Sequence, residues 1–363
     1  MKSKTTDLGT GSVGKLLFSL ALPAIAAQII NVLYNMVDRA YIGHIPEIGA
    51  AALTGVGVTM PVLMAVSAFA ALVGMGSAPR AGIMMGRKDD ETAEKIVGNS
   101  LFSLIVVAVV LTAVILLFAR PILMVFGASE NTIGYALDYI NIYAIGTIFV
   151  QITLGMNAFI STQGFAKTSM LTVTIGAIAN IILDPILIFG FNMGVKGAAL
   201  ATILSQGISC VWVLYFLSSK KSKLRIKKEN IRFDKRIMLP CLALGISPFI
   251  MQFTEAVIAV CFNSSLLKYG GDIAVGAMTI LTSIMQFSML PLQGLTQGAQ
   301  PIMSYNYGAG KMERVKKTFR LLLVLSLIHI SNYTGNECIH LYSGLCKDQH
   351  AYSHHRCYCK YYP

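Results

Sequence analysis

Eight stretches of this sequence are apolar over about 20 residues or more, the length that crosses a bilayer as a helix. Their approximate cores are 17–42, 50–77, 97–126, 133–161, 168–190, 196–218, 237–266 and 273–303, and a ninth begins near 317. Hydrocarbon offers backbone N–H and C=O groups no water to bond, so only helices and closed barrels span it. Continuous apolar runs of this length, without strand-like alternation, select helices. The expected fold class is an all-α integral membrane protein with about 8–9 transmembrane helices in this chain. Composition agrees: 13% of the residues are charged, about half the share in a soluble domain. The first apolar run is too long for the core of a cleaved signal peptide, so it reads as a retained span.

The formal charge of +12 raises nucleic acid as a partner, but its placement argues otherwise. "KKSKLRIKKENIRFDKR" (Lys220–Arg236) holds nine basic and two acidic residues, so +7 of the excess sits in one loop. Basic turns also follow spans two, four and eight, whereas the intervening turns are poor in Lys and Arg. That alternation is the positive-inside bias. It puts the N-terminus in the cytoplasm and the protein in the cell membrane, with lipid and not nucleic acid as its surroundings.

The chain repeats itself. "GSAPRAGIMMGRKDDETAEK" (Gly76–Lys95) aligns with "GAQPIMSYNYGAGKMERVKK" (Gly298–Lys317) at an offset of 222, which carries Gly76 onto Gly298, Pro79 onto Pro301 and Gly86 onto Gly308. Pro23 and Pro248 open similar runs at an offset of 225. The copies lie six spans apart, an even number, so both point the same way across the membrane. Parallel repeats of this kind build transporters whose site lies between or within the halves. The expected organisation is an N-lobe at 1–218, a basic inter-lobe loop at 219–236, a partial C-lobe at 237–330 and a tail at 331–363.

The tail changes character. It carries four of the seven Cys and four of the six His without apolar periodicity. His354, His355, Cys357 and Cys359 are zinc-ligand types, but their spacing fits no finger pattern. The expectation is a frame-shifted or chimeric end, no metal site, and an incomplete second lobe that leaves the chain as written inactive. Another motif is a decoy. "GTGSVGKL" (Gly9–Leu16) satisfies G-x-x-x-x-G-K, but Leu16 stands where a phosphate loop needs Ser or Thr, and no strand precedes it. A juxtamembrane turn is the better reading, and ATP is not expected.

The acids inside the spans carry the functional argument. An ionised side chain at mid-membrane costs ~2.5–3.5 kcal/mol on insertion scales, so intramembrane acids mark sites. Asp38, Asp184 and Glu255 all fall in odd-numbered spans. Asp38 precedes the end of span one by five residues and Asp184 precedes the end of span five by six, which places both ~8–9 Å inside the outer boundary. Tyr34 lies four residues before Asp38, and Asn180 four before Asp184, each on the same helix face. Pro185 has no N–H, so it frees the carbonyl of Ile181 and permits a hinge.

"NMVDRAYIG", "NIILDPILIFGFNMGVKGAALAT" and "QGAQPIMSYNYGAGKMERVKK" together resemble the multidrug and toxic compound extrusion (MATE) family, over roughly Gly14–Leu323. That resemblance implies a pair of six-helix bundles, 12 helices in the full family, and export of bulky, often cationic organic compounds by cation-coupled antiport. It implies no enzymatic activity, no cofactor beyond H+ or Na+ as coupling ion, and a monomer. In the DinF-like branch the coupling acids lie in helices one and five. They map onto Asp38 and Asp184, with Tyr34, Asn180, Asn157 and Thr202 as network members. In the NorM-like branch second-lobe acids carry the role, which Glu255 would fill. The rival from the same superfamily, a lipid-linked oligosaccharide flippase, calls for a basic cavity. A prenyl transferase calls for paired Asp motifs, and Asp89–Asp90 in a charged turn is the one adjacent pair.

Overall fold

The protein is described here from a computed structural model covering residues 7–329. Every long regular element among the described residues is a helix, and seven of them are long and apolar enough to cross a membrane. They lie in α1 (Val13–Gly43), α2 (Gly49–Gly86), α3 (Asp90–Val125), α4 (Ile133–Thr162), α5 (Ala166–Pro185), α6 (Val195–Ser218) and α7 (Lys235–Gly308), the last over Lys235–Cys261. A single wide turn, Ile186–Gly190, continues α5. Residues as far as Phe319 make one compact unit; from Arg320 a second begins, helical over 320–329. The Cys/His tail at 331–363 lies outside the described residues, and among those described no cluster of metal-ligating side chains occurs.

Six spans fall within a few residues of their expected places, and two helix ends differ. α2 runs on to Gly86 and α3 starts at Asp90, so the charged turn after span two shrinks to three residues. Asp89 accepts a bond from the Thr92 backbone N–H at 3.0 Å, satisfying a donor that α3 leaves free at its N-terminus. Lys95 and Glu91, one turn apart, pair at 2.6 Å. Charged residues read as a loop are therefore helix that projects beyond the apolar span.

The larger difference is α7, where the sequence leaves an outer turn, "KYGGD" (268–272), between the apolar cores 237–266 and 273–303. The backbone is helical from Lys235 to Gly308. A straight helix would hold Gly245 and Tyr305 ~90 Å apart, yet both lie against the second half of α2. Gly245 abuts the Leu72 backbone, while the Tyr305 carbonyl abuts Gly86. α7 therefore doubles back, and its two arms serve as spans seven and eight.

Their packing makes the repeat physical. Gly76 of α2 meets the backbone of Cys241 and Gly245 in the first arm, and Gly298 of the second arm meets Ala21 of α1. An offset of 222 carries Gly76 onto Gly298, and Ala21 to a point midway between Cys241 and Gly245. Gly86 and Gly308, also equivalent by that offset, cross next to each other, Gly86 on Tyr305 and Ala309, Gly308 on Ile83. A Cβ at Gly86 would overlap the Tyr305 carbonyl. Helix pairs matched by the sequence offset thus touch through backbone at the end that carries the N-terminus.

The same end holds the phosphate-loop look-alike. The carbonyls of Leu8, Gly9 and Gly11 accept bonds from Asn306 Nδ2 (2.9 Å), Lys311 Nζ (2.8 Å) and Arg314 Nη1 (2.8 Å). Arg314 also donates to Thr10 O at 3.2 Å and to Asn306 Oδ1 at 3.0 Å. A phosphate loop aims N–H groups at an anion; this turn aims carbonyls at two cations and ties the N-terminus to the stretch after α7.

Candidate functional site

Asp38 on α1 and Asp184 on α5 lie close enough for their carboxyl groups to interact directly. α1 and α5 run alongside each other, and an edge-on ring pair, Tyr41 with Phe189 at 6.4 Å, packs them one turn nearer the end of α1. Asp184 is fully buried, Asn180 and Asp38 nearly so. Asn180 Nδ2 donates to Asp184 Oδ1 at 3.2 Å, the same-face pairing expected from the i, i+4 spacing. After Pro185 the backbone widens into the turn Ile186–Gly190, where Phe191 N–H reaches back to Ile186 O at 2.9 Å. Single wide turns of this kind inside α-helices recur at functional sites.

No basic side chain among the described residues forms an ion pair with either acid. Arg39, adjacent in sequence to Asp38, is exposed and instead places Nη2 3.6 Å from Met60 Sδ. Asp38 Oδ1, Asp184 Oδ2 and Asn180 Oδ1 are buried without hydrogen-bond partners. A buried polar atom in that condition costs roughly 1–3 kcal/mol. Three in one cluster mark a place built to receive a hydrogen or a cation.

The remaining candidates separate. Tyr34 lines the same wall as Asp38, but no hydrogen bond joins the two side chains. Thr202 of α6 and Tyr139 of α4 both line the cavity that Asp38 faces. Tyr139 is buried within the electrostatic reach of Asp38 and stacks on Tyr143, ring centres 6.3 Å apart. Neither tyrosine was singled out from sequence, although two tyrosines four apart in an apolar span carry the same signal as Asn180 and Asp184. Asn157 is not brought to the acids. Its Nδ2 donates to Ser169 O at 3.4 Å near the start of α5, and Ser169 is fifteen residues, ~22 Å of helix rise, from Asp184.

Asp38 faces a cavity of ≈ 1040 Å³ enclosed by α1, α2, α4, α5, α6 and both arms of α7. Asp184 and Asn180 lie behind its wall. Glu255, on the first arm of α7, contributes a second carboxylate, and no Lys, Arg or His is among the described lining residues. Amides supply much of the rest, including Gln28, Gln252, Gln293, Gln297 and Gln300, with Met60, Met64, Met75 and Met251 as pliable apolar surface. At the N-terminal end of the bundle α1 and α2 meet α7 backbone to backbone, through Gly298 on Ala21 and Gly86 on Tyr305.

A family model described as MatE matches residues 23–186 and 248–330, the two stretches that the internal repeat relates. The chain is 28% identical to the multidrug export protein MepA of Staphylococcus haemolyticus, over 86% of this chain and 68% of that protein. It is 24% identical to MepA of Staphylococcus aureus strain NCTC 8325, again over 86% and 68%. Among solved structures it superposes on the outward-facing conformation of a multidrug resistance MATE family transporter with a TM-score of 0.83, at 23% identity, covering 91% of this chain and 72% of that one. With its spans, its repeat and both matched segments in place, the chain belongs to the MatE family.

Proposed function

We propose that this protein exports organic cations by antiport against H+ or Na+, working as a monomer with its N-terminus in the cytoplasm. The observation that carries the reading is the Asp38–Asp184 pair, buried, without an ion-paired base among the described residues, at the edge of a large cavity whose described charged lining, Asp38 and Glu255, is acidic. Two carboxylates in contact cannot both stay ionised in a dry site; a proton or a metal cation must share it. Asp38 reaches the cavity and Asp184 lies behind it, so a cation from the open side meets Asp38 first.

Neutralising the pair removes the repulsion between α1 and α5. It allows the outer part of α5, beyond Pro185, to repack on α1 and narrow the cavity, so that the cargo leaves. The two occupants then exclude each other: the site holds either a coupling cation or the positive charge of the substrate near Asp38. That competition is the differential binding an exchanger needs. Export of multiple drugs, as the name of the MepA relatives has it, fits the Gln and Met lining, which offers adaptable contacts rather than one rigid template. A lipid-linked oligosaccharide carries a diphosphate, and no basic residue among the described lining residues is there to hold it.

The test is efflux of a fluorescent organic cation from proteoliposomes under an imposed proton or sodium gradient. One gradient, and not the other, drives export by the parent protein. Asp38→Asn and Asp184→Asn lose that drive while still binding the dye. Export at the parental rate by either variant overturns the proposal.

A further inference from the structure

We propose that the segment joining α6 to α7 is a fixed basic strap that binds the headgroups of anionic phospholipids. A topogenic signal needs positive charge alone, and a solvated loop would serve. This segment is instead docked. Gln163, just past the end of α4, accepts three bonds through Oε1: from Ser222 Oγ at 3.1 Å, Lys223 N at 2.8 Å and Leu224 N at 3.1 Å. Asn99 on α3 holds the other end, accepting from Asp234 N at 2.6 Å and donating to Asn230 O at 3.4 Å. Lys227 pairs with Glu94 at 2.6 Å, and Ile226 N–H bonds Leu217 O at 3.1 Å. Gly98 lets the Asn230 backbone approach α3 closely.

The consequence is a two-sided strand. Ser222 and Leu224 are buried, while Lys221, Lys223 and Arg225, alternating with them, are exposed. All nine basic residues of Lys220–Arg236 are exposed. Lys227 is committed to Glu94, and Asp234 caps α7 by accepting from Arg236 N at 2.9 Å. Glu229 is the other acid within the strap. Phe233, a large apolar ring flanked by Arg232 and Lys235, is 47% exposed, at the point where the chain re-enters the membrane as α7. Basic side chains around an exposed aromatic at a helix–lipid boundary match the chemistry of an anionic headgroup above its acyl chains. The inference does not rest on drug export or on the coupling ion.

The test uses the full chain, purified in detergent and stripped of lipid, with fluorescent short-chain phosphatidylglycerol and phosphatidylcholine as probes. The parent protein prefers phosphatidylglycerol. In K221Q/K223Q/K228Q/R232Q, whose four side chains take no part in docking, phosphatidylglycerol binding weakens by about 100-fold or more at low salt, from ~1 kcal/mol per basic group. Phosphatidylcholine binding and the thermal unfolding temperature stay unchanged. Gln163→Ala keeps every charge but releases the strap, and its phosphatidylglycerol affinity drops several-fold. Equal binding of the two lipids by the parent, or parental phosphatidylglycerol affinity in the quadruple variant, overturns the proposal. Parental affinity in Gln163→Ala overturns the claim that the array is fixed.

Discussion

Polar groups are handled in opposite ways at the two ends of the α1 helix. Beside its N-terminus, Asn306, Lys311 and Arg314 each find backbone carbonyls of the Leu8–Gly11 turn, and α1 and α2 close on α7 through glycine. Near its other end, Asp38, Asp184 and Asn180 keep three buried oxygens without partners. The first arrangement spends its hydrogen-bonding capacity on one geometry. The second leaves capacity for something that arrives and departs. A transporter needs both, since an end that is shut must be shut by contacts it can exchange, and a site that couples must not be satisfied by its own protein.

The largest effect is expected where the unsatisfied end is made self-sufficient. Asn in place of Asp184 or Asp38 supplies the missing donor permanently, and gradient-driven export falls by about 5–150-fold, the usual range of a coupling energy. Initial rates of dye efflux from proteoliposomes measure it.

Next comes the closed end. Gly86→Ala puts a methyl group into the Tyr305 carbonyl, where neither backbone can yield. Overpacking of this sort costs ~1–3 kcal/mol, charged here to the closed arrangement alone. The variant exposes a cysteine introduced at Thr172, in the cavity wall, to a membrane-impermeant thiol reagent from the N-terminal side, where the parent protects it. Arg314→Ala acts on the same end more gently. It removes bonds to Gly11, Thr10 and Asn306 that are partly solvated, a change of ~1 kcal/mol, and yields partial labelling of the same cysteine.

These contrasts mark which features sequence made legible. Span positions, the repeat and the acids were visible because apolar length, periodic glycine and charge in an oily run are local signals. The hairpin form of α7 was not, because "KYGGD" gives turn chemistry without saying whether helical bonding continues through it. The docked strap was hidden for a related reason. Gln163 and Asn99 read as ordinary polar residues at helix ends, and their partners lie 59 and 131 or more positions away. Tyr139 entered the site by lining the same cavity as Asp38 and Thr202, a juxtaposition of helices that spacing along one helix cannot report.

Glu255 tests whether an exposed acid on the cavity wall equals a buried one. Its side chain is exposed, so its interaction with a bound cation is that of a surface charge, ~0.2–1 kcal/mol. Glu255→Gln therefore weakens binding of a cationic dye by no more than about fivefold, in a fluorescence titration, and leaves the gradient dependence of export in place.

Asn157→Ala has the smallest effect, and it separates resemblance from geometry. The family pattern places Asn157 in the coupling network, whereas its amide donates to Ser169 O, ~22 Å of helix rise from Asp184. Losing that long bond costs ~0.5–1.5 kcal/mol of stability, read as a small drop in unfolding temperature. The ratio of export with and without the ion gradient stays at the parental value, because no group that meets the coupling cation has changed. A collapse of that ratio in Asn157→Ala, with unfolding temperature unaltered, would put the coupling route through α4 toward the N-terminal end. The division between a satisfied end and a receptive one would then have to be redrawn.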